Sequence, residues 1–306
     1  MSEFDWISKY FAPLAKGAGA AGLTDDVAQL TSENRIITTD ALVETVHFLP
    51  TDPIDTIARK LVRVNVSDVL AKGAKPAEAL LTLGWPRTRT EDELKRFADA
   101  FGEELAEWDI DLVGGDTVTS PSALFVSLTL TGTLPDGVKP VRRSGAKPGD
   151  IIWISGEIGW GGIGLAAALA NEDSEAAERY RVPKIPSIAI AETILSNASA
   201  SMDVSDGIIA DLTKLLAASG CGAAVALDSV PLASPDSTDL DAIMAAVTAG
   251  DDYQCLFTAP PEVSGDISAA GLQLTQIGSV TETRDLELKW QGKPIPIPAK
   301  TGFEHK

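Results

Sequence analysis

The chain has 306 residues, with 44 Asp and Glu against 25 Lys and Arg, a formal net charge of −19 and 44% hydrophobic residues. That length suits two domains of ordinary size, and the apolar content excludes a disordered chain. The acidity repels nucleic acid and anionic lipid, and no apolar run nears the roughly 20 residues of a membrane span.

Two cysteines, Cys221 and Cys255, and two histidines, His47 and His305, exclude a disulfide framework, a four-cysteine zinc site and a multi-histidine metal site. Met1 to Trp6 lacks a basic region followed by an apolar core, so no signal peptide is expected and the cytosol is the expected location.

In chain order, Phe4, Ile7, Phe11 and Leu14 form one face of an expected first helix from Ser2 to about Leu14. A Gly/Ala-rich loop follows, Lys16 to Gly22. Arg35 to Thr39 reads as a strand ending at Asp40. Asp52-Pro53 is a helix start, and that helix carries Ile57, Leu61, Val64 and Val69 towards Gly73. Leu80 to Leu83 reads as a short strand. Thr90 and Glu93 form a capping box before a helix with Leu94, Phe97, Phe101, Leu105 and Trp108 on its apolar face. Ile110 to Val113 reads as a buried strand running into Gly114-Gly115-Asp116. Leu124 to Thr131 alternates like a half-buried strand. Lys139 to Asp150 is basic and turn-like, and the domain boundary is placed there, giving units 1–140 and 141–306.

In the second half, Ile151 to Ile154 reads as a strand, Ile163 to Ala170 as a helix, and Asn171 to Arg179 as a connection. Ile188 to Leu195 is helical. Met202 to Gly207 leads into a helix, Ile208 to Ala218, stopped at Gly220. Ala223 to Leu227 and Tyr253 to Phe257 are strands. Both halves mix strands and helices, which indicates α/β or α+β domains.

No Walker A loop is present. Gly17-Gly19-Gly22 follows a helix, and Gly159-Gly161-Gly164 lacks a strand-end acid about 20 residues on, so neither reads as a dinucleotide fingerprint. A different pattern recurs: an apolar segment ends in Ser, Thr or Gly and then Asp. It occurs at Thr39-Asp40, Ser67-Asp68, Gly115-Asp116, Ser205-Asp206 and Gly250-Asp251, with Asp25-Asp26 as a sixth instance. Each alone reads as a cap or turn. Gathered together, short carboxylates and neighbouring hydroxyls make the oxygen shell that a hard divalent cation takes.

The ordered set Thr24-Asp25-Asp26, Thr38-Thr39-Asp40, Val46-His47-Phe48, Asn65-Val66-Ser67-Asp68, Lys72-Gly73-Ala74-Lys75-Pro76, Gly114-Gly115-Asp116-Thr117, Arg143-Ser144-Gly145 and Asp203-Val204-Ser205-Asp206-Gly207 resembles the thiamine-monophosphate kinases. Their superfamily also holds aminoimidazole ribonucleotide synthetase, selenophosphate synthetase and a hydrogenase-maturation protein. The resemblance implies two α/β domains, the first giving strands to a barrel shared across a homodimer. It implies Mg²⁺, with Asp26, Thr38, Thr39, Asp40, Asp68, Asp116, Asp203 and Asp206 as ligands. ATP is implied as co-substrate, contacted by Gly115, Asp116, Arg143 and Ser205. His47, Asp251 and Phe303 are implied near thiamine monophosphate, and Asp40, Asp68, Asp116 and Arg143 in catalysis. Three places depart from the family pattern: Gly22-Leu23-Thr24, the shorter acid at Asp251, and Phe303.

The implied reaction is in-line phosphoryl transfer to a phosphate oxygen, without a general base. The alternatives are another ATP-using member of that superfamily or a non-catalytic nucleotide-binding protein. The absence of a cysteine in the N-terminal glycine-rich loop and at Lys306 speaks against the selenophosphate and hydrogenase branches.

Overall fold

The computed structural model describes residues 12, 18–30, 34–234 and 239–304. The expected first helix and His305 lie outside them. The elements are β1 (Ala28–Gln29), β2 (Arg35–Val43), α1 (Ile54–Ala71), β3 (Lys75–Pro86), α2 (Glu91–Glu107), β4 (Asp111–Ser120), β5 (Phe125–Thr133), β6 (Ile151–Ser155), α3 (Trp160–Leu169), α4 (Glu175–Arg181), α5 (Ala189–Asn197), β7 (Ala200–Val204), α6 (Ile208–Ser219), β8 (Gly222–Ala226), α7 (Leu240–Val247), β9 (Gln254–Ala259), α8 (Ser264–Ala269), β10 (Leu274–Thr281), β11 (Leu286–Trp290) and β12 (Lys293–Ile295).

Two sheets organise this mixed α/β chain. The first has the order β1-β2-β5-β3-β4 and the second β12-β11-β8-β10-β6-β9-β7. In the first, β3 and β4 are parallel and the other pairs antiparallel. A parallel pair needs a crossover, and α2 supplies it, opened by the Thr90–Glu93 capping box. The alternation in β5 buries Val126, Leu128 and Leu130 on one face.

The core explains why α1 is buried nearly all round. Its residues Ile57, Leu61, Val64 and Val69 pack in one cluster with Val126 and Leu128 of the first sheet and Trp153, Cys255 and Phe257 of the second. The helix is sandwiched between the sheets. Trp153 and Phe257 stack with ring centres 6.3 Å apart. The alternate residues of β6, β7 and β9, such as Ile152, Met202 and Leu256, face the other way and pack with Ile208 and Leu212 of α6. Strands buried on both faces read as continuous apolar runs, as these do.

Three sequence expectations need correction. Ile110 to Val113 was expected to be a buried strand; Ile110 is buried, but β4, which starts at Asp111, is exposed, with Leu112 at 51% and Val113 at 58%. It is the edge strand of its sheet, with no further strand beside it among the described residues. Asn171 to Arg179 was expected to connect, yet 175–181 is helical; Ser174 caps it and Arg179 pairs with Glu175 one turn away. The expected strand at Leu80 to Leu83 extends to twelve residues.

Candidate active site

Strand ends and α1 converge on a cleft of about 980 Å³. Its acidic end is built from four places in the chain. Asp25 and Asp26 precede β1, Asp40 lies on β2, Asp68 lies on α1 and Asp203 lies on β7. One carboxylate oxygen each of Asp26, Asp68 and Asp203 lies within 4.8 Å of the others. Thr38 Oγ1 donates to Asp68 Oδ2 at 2.5 Å, and Ser67 Oγ donates to Asp203 Oδ2 at 2.9 Å. Asn65, buried in α1, accepts the Asp40 amide at 2.9 Å and so fixes where that carboxylate emerges.

Two cations back this wall. Arg143 Nε donates to Asp26 Oδ1 at 2.9 Å, and its amide donates to Asp25 Oδ2 at 3.0 Å. Lys72, fully buried, pairs with Asp26, lies 3.2 Å from Asp25 and donates to the Ser201 carbonyl at 2.5 Å. Burial alone would raise the Asp26 carboxyl, but Lys72 and Arg143 outweigh it and hold it at about 2. At Asp40, Asp68 and Asp203 the upward push wins. Burial, then Asp26 and Asp206, pushes Asp40 up to about 6. Burial pushes Asp68 and Asp203 well above the usual carboxylate range; Asp203 and Asp40 add to it at Asp68, and Asp26 and Asp211 add to it at Asp203. Like charges held this close call for a counter-cation.

The donor set fits Mg²⁺. It is all oxygen, with carboxylates from three segments of the chain, Asp26, Asp68 and Asp203, drawn together within 4.8 Å. Asp26, Asp68 and Asp203 could hold such an ion, with Asp40 and the Thr38 hydroxyl lining the same cleft.

Beside them, Ser205 and Asp206 form the turn into α6. The buried Asp211 carboxylate takes the amides of Ser205, Asp206 and Gly207 at 3.0, 3.0 and 3.2 Å, and Lys214 pairs with Asp206 and Asp211. Phe303 is tied over this turn by its amide, which donates to the Asp206 carbonyl at 2.8 Å. Gly302 permits that approach, since a Cβ there would fall 2.5 Å from Ala210 Cβ and 2.6 Å from the Asp206 carbonyl oxygen.

The other end of the cleft is mixed. Val46, His47, Leu49, Leu165, Leu169, Tyr180, Asp251 and Tyr253 line it. His47 Nδ1 accepts the Val43 amide at 3.0 Å, which leaves the ring proton on Nε2. The Asp252 carboxylate turns away and accepts the Gly159 and Gly161 amides at the start of α3. The anion at that glycine-rich helix start is therefore the chain's own. Burial raises Asp252 to about 7 despite those amides.

Of the residues singled out from sequence, Asp26, Thr38, Thr39, Asp40, Asp68, Arg143, Asp203, Ser205 and Asp206 line the acidic part of one cleft, and His47, Asp251 and Phe303 line the rest. Thr39 reaches it from the mouth, with its hydroxyl bonded to the Leu128 carbonyl on β5. Gly115 and Asp116 are elsewhere. They sit on exposed β4 opposite Leu81 and Thr82, three strands from β2. Sequence reasoning missed Lys60, Lys214, Asp211 and Tyr180, and gave Lys72 no role. The available signal was a lysine inside an apolar helix, at Ala58-Arg59-Lys60-Leu61-Val62.

Comparison with known proteins agrees with this architecture. The family model described as AIR synthase related protein, N-terminal domain, matches residues 24–134, and its C-terminal counterpart matches residues 147–291. A solved structure described as AaThiL complexed with AMPPCP and TMP has a TM-score of 0.85 at 28% identity, covering 100% of this chain and 97% of its own. Thiamine monophosphate kinase from Aquifex aeolicus has a TM-score of 0.82 at 29% identity, covering 96% of each chain. The thiamine-monophosphate kinase of Caulobacter vibrioides is 36% identical, over 99% of this chain and 91% of that protein. With that identity over nearly its whole length, the chain belongs to the thiamine-monophosphate kinase family.

Proposed function

We propose that this chain transfers the γ-phosphoryl group of ATP to thiamine monophosphate, releasing thiamine diphosphate and ADP. The observation that carries the reading is the single cleft with carboxylates at one end and a mixed apolar and polar pocket at the other, in a chain whose full-length relatives carry that kinase name.

The acceptor needs little help from a base. A phosphate monoester loses its second proton near pH 6, so at neutral pH a terminal oxygen is already the nucleophile. That oxygen attacks the γ-phosphorus in line. The new P–O bond forms as the bond to the β,γ-bridging oxygen breaks, and the electron pair leaves on ADP. Held by the carboxylates of the cleft, Mg²⁺ would supply the positive charge that phosphoryl transfer between two polyanions needs. The chain supplies the frame: Asp26, Asp40, Asp68 and Asp203 as an oxygen wall, and Asn65, Thr38 and Ser67 to orient it. Lys72 and Arg143 keep the wall from repelling ATP outright. Asp206 and Ser205, on the rigid α6 turn, extend the nucleotide side. His47, Asp251 and Phe303 take the organic part of the acceptor.

We place the protein in the cytosol as a homodimer. Cys221 and Cys255 are buried and unpaired, as suits a reducing compartment. No helix among the described residues is long and apolar enough to cross a membrane. The open edge of β4 and exposed Leu80, Leu112, Val113, Val118 and Phe125 form an apolar face fit for a second copy. Gly115 and Asp116 lie on that strand, so a role for them at the nucleotide requires the dimer.

The test is direct. The purified chain with ATP, Mg²⁺ and thiamine monophosphate yields thiamine diphosphate and ADP in equal amounts, read by chromatography. ADP formed with no thiamine diphosphate refutes the reading.

A further inference from the structure

Lys60 stands in the middle of α1 among the core residues Ile57, Ala58, Leu61 and Val64. An ammonium that is 1% exposed is tolerated only when its donors are met. Partners from three separate segments meet this one. Nζ donates to the His47 carbonyl at 3.0 Å and to Asp251 Oδ2 at 2.9 Å, and it lies 4.3 Å from the centre of the Tyr180 ring. The other Asp251 oxygen accepts the Tyr253 hydroxyl at 3.0 Å. Asp251 and Tyr253 both have left-handed backbones, with φ of 68° and 50°. Such conformations in non-glycine residues persist when their surroundings over-determine them. Here the surroundings are Lys60, the Tyr253 hydroxyl and the amide bonds from Asp251 and Tyr253 back to the Ser205 and Val204 carbonyls.

We propose that Lys60 is a positioning residue for the acceptor: its ammonium locks His47 and Asp251 to each other and so fixes the pocket for the organic end of thiamine monophosphate. The inference rests on the function proposed above. It concerns a residue remote from the nucleotide side, since Lys60 is eight residues, about 12 Å, along α1 from Asp68. The acceptor carries a permanent positive charge on its thiazolium ring. A loose carboxylate would follow that charge, whereas one already held by Lys60 and Tyr253 keeps its direction. This also gives the short Asp251 a task that reach alone does not set. Without the ammonium, the carboxylate has no cation, the left-handed segment is free to relax, and the turn carrying His47 loses the donor to its carbonyl.

The test is a double-mutant cycle on the full chain with Lys60→Met, Asp251→Asn and the pair, varying each substrate and recording thermal melts. Lys60→Met raises KM for thiamine monophosphate by roughly tenfold or more and leaves KM for ATP within about twofold. In the Asp251→Asn background the same change raises KM by less than about threefold, because most of its effect passes through Asp251. Equal rises in both KM values together with a lowered Tm would mean a general structural role and would overturn the proposal. So would full multiplication of the two effects, or an unchanged KM for thiamine monophosphate in an active protein. A wild-type chain with no turnover refutes the proposed function first, and this inference with it.

Discussion

At the scale of single residues, the acids of the cleft do two opposite things. In the proposed function they are the ligands of a cation, and without one they repel one another. Asp68 shows both. Its carboxyl is pushed far up by burial and by Asp203, Asp40 and Asp26, and is partly relieved by the Thr38 hydroxyl. Asp68→Asn keeps the shape and removes one charge. It lowers kcat by orders of magnitude, about 3 kcal/mol or more of lost electrostatic stabilisation. The same variant has an equal or higher Tm than wild type in metal-free buffer at pH 7.5, and a smaller gain on adding Mg²⁺. Kinetics and paired melts check it; a variant with near-normal kcat removes Asp68 from the metal site. Asp40 and Asp68 were legible in the sequence because each follows an apolar segment and a small residue, whereas Asp203, which follows Met202, entered only through the family resemblance. Lys72 and Asp211 were less so. A buried lysine is recognisable only when the carboxylates it neutralises are known, and those come from Asp25 and Asp26, far away in the chain. Asp211 reads as an ordinary helix residue until its carboxylate is seen taking three amides of the preceding turn.

At the scale of elements, periodicity reveals which side chains want to leave water but not what will cover them. The alternation of β5 and the capping box of α2 are local, and they were read correctly. The apolar run into β4 reads the same whether its cover is a core or a second copy. In β4 the backbone itself leaves little room. A Cβ at Gly115 would fall 2.0 Å from the Leu81 carbonyl oxygen, so this glycine is needed for strand pairing whatever else it touches. The polar α4 was missed because its stability comes from a cap and an ion pair rather than an apolar stripe. If β4 is the dimer edge, Val113→Asp combined with Val118→Asp on that exposed strand yields a monomer. Charges on an open edge block pairing and cost an exposed site little stability, within about 0.5 kcal/mol each. Sedimentation velocity reads the outcome; a wild-type monomer refutes the dimer, and a dimer that survives both substitutions places the interface elsewhere.

At the scale of the whole molecule, the proposed cation site would also be a clasp. Asp26, Asp40 and Asp68 belong to the part of the chain that forms the first sheet, and Asp203 and Asp206 to the part that forms the second. α1 lies between the sheets and carries Asp68, so an ion held by Asp68 and Asp203 ties the helix to the far sheet where Ser67 already touches it. Divalent binding should therefore stabilise the chain as one unit, with a sign set by protons. Asp40 is raised from 3.8 to about 6 in the fold. A raised carboxyl favours the metal-free fold below the unfolded value, and that contribution is lost as pH climbs from about 4 through 6. Above that range Asp40 is ionised and ready for a cation; below it, a proton occupies the same carboxylate and competes. Saturating Mg²⁺ should thus raise Tm more at pH 7.5 than at pH 5, while Asp203→Asn should flatten the difference. Differential scanning calorimetry across that range decides it. A Mg²⁺ shift of equal size at both pH values would show that the ion is held by ordinary, already ionised surface acids and that the buried cluster serves some other purpose.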